Sequence, residues 1–247
     1  MKKRWGLIGV LTVLAGGTLF THSLVLAQQK EQALVSVDKF STIQKTTSSI
    51  TFPKLEEPEW LTKQKQAEAA QRAAAAAVLT PGGAVRTFTY SVTTRGTITA
   101  NFSEFQSQAN QSLNDPRGWA RMGVSFKQVP TGGNFILVLS EASQLPTFSS
   151  GCSAEYSCRA GQYVIINQDR WLGATDSWNE KCGKTAVCIR DYRHMVVNHE
   201  TGHWLGHDHV SCGGTGQSAP VMQQQSIDLQ GCTFNPWPLA NELTTTR

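Results

Sequence analysis

His199-Glu200-Thr201-Gly202-His203-Trp204-Leu205-Gly206-His207-Asp208-His209 is the stretch on which the reading of this chain turns. His199 and His203 stand four apart, so on a helix both imidazoles leave the same face and can reach one metal ion. Gly206 follows three residues later, and glycine can take the positive φ that ends a helix and turns the chain sharply. That turn brings His209 back as a third ligand. Three neutral imidazoles leave the fourth tetrahedral position of a zinc ion (Zn2+) open to water, as a catalytic site needs. Zinc lowers the pKa of such a water to about 7, and Glu200, beside the first ligand, would take its proton and pass it to a leaving amine. His-Glu-x-x-His alone is moderate evidence, since it also occurs in unrelated helices; the five positions together are far rarer. Gly202 adds to the case, because a mid-helix glycine costs about 1 kcal/mol relative to Ala and implies something packed closely against it.

Working back from the motif, a helix from about Arg190 to Leu205 is preceded by a loop holding Trp171, Trp178, Cys182 and Cys188. Tyr163 to Asn167 (YVIIN) reads as a strand. Asn134 to Leu139 is another, with the continuous run FILVL expected inside a sheet. Gly123 to Val129 and the alternating Arg86 to Thr93 (RTFTYSVT) supply two more strands. Between those two, Ser103 could cap a helix running to Leu113, with Phe105, Ala109 and Leu113 on one face. This order predicts an α/β layered domain with a mixed sheet.

Upstream of Val85 the texture differs. Lys2, Lys3 and Arg4 lead into an apolar run from Trp5 to Phe20, and Val25-Leu26-Ala27 offers small residues for cleavage after Ala27. This is the pattern of a secretory signal peptide over residues 1–27; an uncleaved N-terminal anchor is the competing reading. Residues 28–84 read as a low-complexity stalk or linker. Lys63 to Leu79 has high helix propensity but almost no apolar stripe, so a helix there would be solvated and marginal. A propeptide is the other reading; having no cysteine, the segment cannot plug a metal with a thiolate, although Asp38 could offer a carboxylate.

The formal charge of +4 says little about partners. Residues 1–27 hold three cations and no acids, and from Val85 onward 12 Lys/Arg balance 12 Asp/Glu. A net of zero argues against a nucleic-acid partner. All six cysteines (Cys152, Cys158, Cys182, Cys188, Cys212 and Cys232) lie after residue 150. An even count in an exported chain suggests three disulfides, and Cys152–Cys158, Cys182–Cys188 and Cys212–Cys232 form the simplest set by loop length.

Residues 199–209 resemble the zinc-binding consensus of the metzincins, and 163–238 resembles an uncharacterised family of exported bacterial proteins of that type. The resemblance implies a zincin-like α+β domain over residues 85–247, with a mixed twisted sheet, an active-site helix and a C-terminal Met-turn subdomain. It implies His199, His203 and His209 as metal ligands, Glu200 as catalytic base and Met222 of Ala219-Pro220-Val221-Met222 beneath the metal, with Gly206 at the turn. A buried Met filling an ordinary core gap is the less favoured alternative for Met222. One departure matters: some metzincins carry a Tyr two residues after that Met, where this chain has Gln224.

His207 is expected to point away from the metal as an exposed turn residue, and His194, off the ligand face, to be structural. Asp208 fits a hydrogen bond to a ligand imidazole and a plain turn equally well. Trp171, Trp178, Trp204 and Trp237 read as core residues before cleft walls. The resulting expectation is a secreted or cell-surface zinc metallopeptidase acting as a monomer on a protein or peptide, touching membrane only through the N-terminal segment if that is uncleaved. Its substrate would pair with a sheet edge between Leu145 and Ala160. A zinc amidase acting on cell-wall peptides and a zinc-stabilised binding module are the alternatives.

Overall fold

The continuous apolar runs FILVLS and YVIIN become, in a computed structural model of the chain, strands buried on both faces of a five-stranded sheet. The structure describes residues 57–78 and 86–246. The signal peptide, the carboxylate plug at residue 38 and most of the stalk therefore lie outside the described residues. The strands are β1 (Arg86–Arg95), β2 (Val124–Gln128), β3 (Phe135–Ser140), β4 (Cys158–Ala160) and β5 (Tyr163–Asn167), in the order β2-β1-β3-β5-β4. The first four in that order run parallel, and β4 pairs antiparallel with β5, leaving β4 at an edge. The sheet is mixed, as expected, and β4 lies in the interval where an edge was sought.

Strand periodicity sorts the side chains into two cores. Phe88, Tyr90, Phe135, Leu137, Leu139, Val164 and Ile166 face the helices and share the main core. Val138 and Ile165 face the other way, into a smaller cluster with Leu145 and Cys152. The main core is closed by α2 (Phe102–Asn114) and by α5 (Ala186–Leu205), with Phe105, Ala109 and Leu113 of α2 fully buried. Trp204 of α5 sits edge-on to Phe88 at 5.0 Å, and Phe105 meets Trp171 at 4.8 Å, so these aromatic rings fill the layer between helices and sheet. Trp171, Trp178 and Trp204 are core residues; Trp237 is half-buried against His194 and Arg117.

Three local expectations need correction. The N-cap of α2 is Asn101, whose side chain accepts from Glu104 N–H, and Ser103 lies inside the helix. The stretch before α5 is not a plain loop: Asn167 caps α3 (Gln168–Gly173) and Thr175 caps α4 (Asp176–Cys182), short elements without room for a full periodic pattern. Helix α5 itself starts at Ala186, capped by Thr185.

Within the stalk region, α1 (Glu59–Val78) is largely solvent-exposed, as its composition implies. Two ion pairs hold it to the domain. Arg190 of α5 grips Glu68 through both guanidinium Nη atoms, at 2.7 and 3.0 Å, and Arg72 lies 3.3 Å from Asp115. Among the described residues no helix is long and apolar enough to cross a membrane.

His194 is structural. It is buried, its Nδ1 lies 2.8 Å from Ser112 Oγ, and its ring packs on Trp237. Burial, then the charge of Arg190, holds its pKa down at about 4. The unfolded chain takes up that proton near pH 6.5, so the native state loses stability as pH falls from 6.5 through 4, by about 3 kcal/mol in all. Urea unfolding across this range should show a steeper acid loss for the wild type than for His194→Gln; equal slopes would remove the assignment.

Candidate metal centre

The last two turns of α5 carry His199 and His203, and the helix stops where the sequence says it must. Gly206 takes φ 105°, and the amide of His207 bonds back to Gly202 O, so the chain folds under the helix end. His209 thereby arrives opposite the other two rings. The ligand atoms of His199, His203 and His209 all lie within 4.8 Å of one another. His203 Nε2 and His209 Nε2 are 3.0 Å apart.

The imidazoles are oriented from behind. His199 Nδ1 donates to Val221 O at 2.8 Å, and His203 Nδ1 donates to His207 O at 2.8 Å. A carbonyl can only accept, so both Nδ1 atoms carry the proton and both Nε2 lone pairs are open. Burial lowers the pKa of all three rings, that of His199 to about 3, so they are neutral at neutral pH. Neutral nitrogen donors converging on a point are what a borderline cation such as zinc requires.

Glu200 is buried, lines the same cleft and has an Oε2 with no hydrogen-bond partner. Burial alone pushes its carboxyl up to about 8; a cation held by the three imidazoles would act in the opposite direction. The unpartnered buried oxygen of Glu200 thus shares a cleft with the open Nε2 lone pairs of His199 and His203 and with the His209 ring, and it leaves room for a water beside a bound ion. The cleft measures about 480 Å³, and Cys158 and Arg159 of β4, Tyr156 and Ser157 before it and Gln224 to Ile227 also line it.

Beneath the helix, Pro220 O accepts from Gln223 N–H at 3.0 Å, making a tight turn that carries buried Met222. Gly202 explains itself here: a Cβ would overlap Met222 Sδ and sit 2.8 Å from Trp119 Cζ2. All three disulfides join the partners chosen by spacing, and Cys212–Cys232 brackets the Met222 turn. The other histidine of the motif departs from expectation. His207 is half-buried, stacked on Trp119 at 4.9 Å, with Nε2 donating to Thr244 O at 2.7 Å. Asp208 is exposed, and His203 is oriented by the His207 carbonyl instead.

Sequence reasoning missed Glu242. Its buried carboxylate accepts from the amides of Val221 (2.9 Å), Met222 (2.8 Å) and Leu239 (2.7 Å). It thus holds the peptide whose carbonyl orients His199. No motif flags a lone Glu thirty-three residues after the last ligand.

Three converging imidazoles on a helix-and-turn scaffold, with a carboxylate beside them, make this a mixed α/β protein with a histidine-rich candidate metal site. The chain belongs to the family described as "Protein of unknown function (DUF3152)", whose pattern matches residues 58–235. No curated protein matches it. Among solved structures, archaemetzincin from Methanopyrus kandleri is similar over 67% of this chain and 95% of its own, at 11% identity and a TM-score of 0.40.

Replacing Glu242 by Gln puts an amide N–H against backbone N–H groups that need an acceptor. The expected cost is about 2–3 kcal/mol in urea unfolding of the metal-free protein, and a change within error would show that the turn holds itself.

Proposed function

We propose that this chain is an exported zinc-dependent endopeptidase of metzincin type. One observation carries the reading: the Nε2 atoms of His199, His203 and His209 face a common point in a cleft that also holds the unpartnered Oε2 of Glu200. The three imidazoles would hold the ion, which when bound supplies a Lewis acid able to polarise a carbonyl and acidify a water. Glu200 does the proton work: Oε2 takes the proton of the attacking water and returns it to the departing amine nitrogen. Met222, on the turn held by Glu242, keeps the floor of the site rigid, and His199 is kept in the Nδ1–H tautomer by Val221 O. The free edge of β4 offers backbone groups to an extended peptide.

Glu200 favours this reading over a binding module, because a purely structural zinc fills its fourth position with a protein ligand. Export is supported by the three disulfides, which form and persist in oxidising compartments, together with the apolar segment before Ala27. In this reading residues 1–27 target the chain, 28–84 are a spacer whose helix α1 packs on the domain, and 85–247 carry the chemistry.

The full chain, folded under oxidising conditions, should bind one zinc ion and cleave members of a mixed peptide library. Glu200→Gln should keep the zinc and lose about 10²–10⁴-fold in rate, while His203→Ala should lose the zinc. A zinc-loaded wild type no faster than Glu200→Gln would exclude the peptidase reading and leave a metal-binding protein.

A further inference from the structure

Edge strand β4 carries a charge that the protein does not use internally. Cys158 and Ala160 pack into the small core with Val138 and Ile165. Alternation along the strand sends the side chain between them, Arg159, to the opposite face, where it lines the cleft. In the ladder Arg159 stands opposite Val164, whose side chain belongs to the main core, so Arg159 leaves the face of the sheet that carries α5. Yet its Nε is buried without a hydrogen-bond partner.

The other half-buried arginines of the domain behave differently. Arg117 is bidentate to Asp115, Arg190 grips Glu68 and Asp191, Arg193 meets Glu104 at 2.6 Å, and Arg121 and Arg170 donate to the carbonyls of Pro238 and Glu155. The cleft also contains two carboxylates, Glu200 and Asp208, and among the described residues neither forms an ion pair with Arg159. A guanidinium has five N–H donors, stays charged, and matches a carboxylate with two parallel hydrogen bonds. Leaving a buried donor of this kind unpaired is unfavourable, so the position makes physical sense when the cleft is filled by an anionic group.

We propose that Arg159 is a substrate-specificity residue that binds a carboxylate of the peptide laid along β4, so that the preferred substrates are acidic near the scissile bond or end there in a free α-carboxylate. The inference rests on the peptidase reading for its geometry, since a strand added to β4 runs past Arg159. Lysine at this position would keep the charge but lose the planar two-pronged fit.

Equilibrium binding to the zinc-loaded Glu200→Gln chain tests this without turnover. Three dansyl-labelled hexapeptides serve as probes: one neutral with an amidated end, one amidated with a central Glu, and one neutral with a free C-terminal carboxylate. At least one carboxylate peptide should bind about tenfold or more tightly than the neutral amide, and which one does so identifies the source of the anion. Adding Arg159→Gln should remove that preference while zinc content stays the same. Arg159→Lys should retain part of it, and Arg159→Glu should favour a peptide with a central Lys.

An unchanged ratio in Arg159→Gln, or equal binding of all three peptides by the parent, overturns the proposal. If Arg159→Gln does not fold, the comparison with Arg159→Lys decides: a full tenfold preference in the Lys protein excludes the bidentate role. Arg159-dependent binding without any wild-type cleavage would retire the peptidase and keep the anion site. Cleavage indifferent to Arg159 and to substrate charge would do the reverse.

Discussion

The hydrogen bond from His199 Nδ1 to the carbonyl of Val221 is the joint on which the rest of the site depends. It fixes the tautomer and the ring plane of the first imidazole, and it ties α5 to a turn twenty-two residues away. That turn can be where it is only because Gly202 has no side chain, so that Met222 packs onto the helix backbone. It stays there because Glu242 collects two of its amides and Cys212–Cys232 closes the loop around it. Each element is ordinary alone. Together they remove the freedom of the His199 imidazole, as the His207 carbonyl does for His203, and ligands held ready would pay little ordering entropy on binding a metal.

The electrostatic setting follows from the same packing. Burial of His199 and Glu200 in one cleft disfavours charge on both, leaving neutral nitrogen donors and a carboxyl short of partners. A divalent cation resolves both conditions at once. The sheet contributes by position. Four parallel strands bury the main core, and the one antiparallel strand lines the cleft with no further strand beside it among the described residues.

Much of this was legible before any coordinates. His199, His203, Gly206 and His209 announce themselves because helix periodicity and glycine's left-handed backbone are local rules. Gly202 gave warning of its neighbour for the same reason, and YVIIN matched β5 residue for residue. The N-cap at Asn101 was missed because Asn and Ser compete for the same role two positions apart, and tertiary packing decides between them. Helices α3 and α4 were missed because six or seven residues hold too little periodicity to read. Glu242 and Arg159 were invisible for another reason: their meaning lies in what they face across the fold, and nothing in the adjacent sequence encodes it. His207 belongs with them, since its partners Trp119 and Thr244 come from opposite ends of the domain.

Thr246 N–H and the hydroxyls of Thr245 and Thr246 all reach Leu205 O at the end of α5, and Thr244 O receives His207. The family pattern stops at residue 235. A domain trimmed to that pattern would keep every residue that touches the metal position and lose the buckle that holds the helix end and the Met222 turn shut. For anyone cutting this protein to a minimal unit, the recognisable part is shorter than the working part.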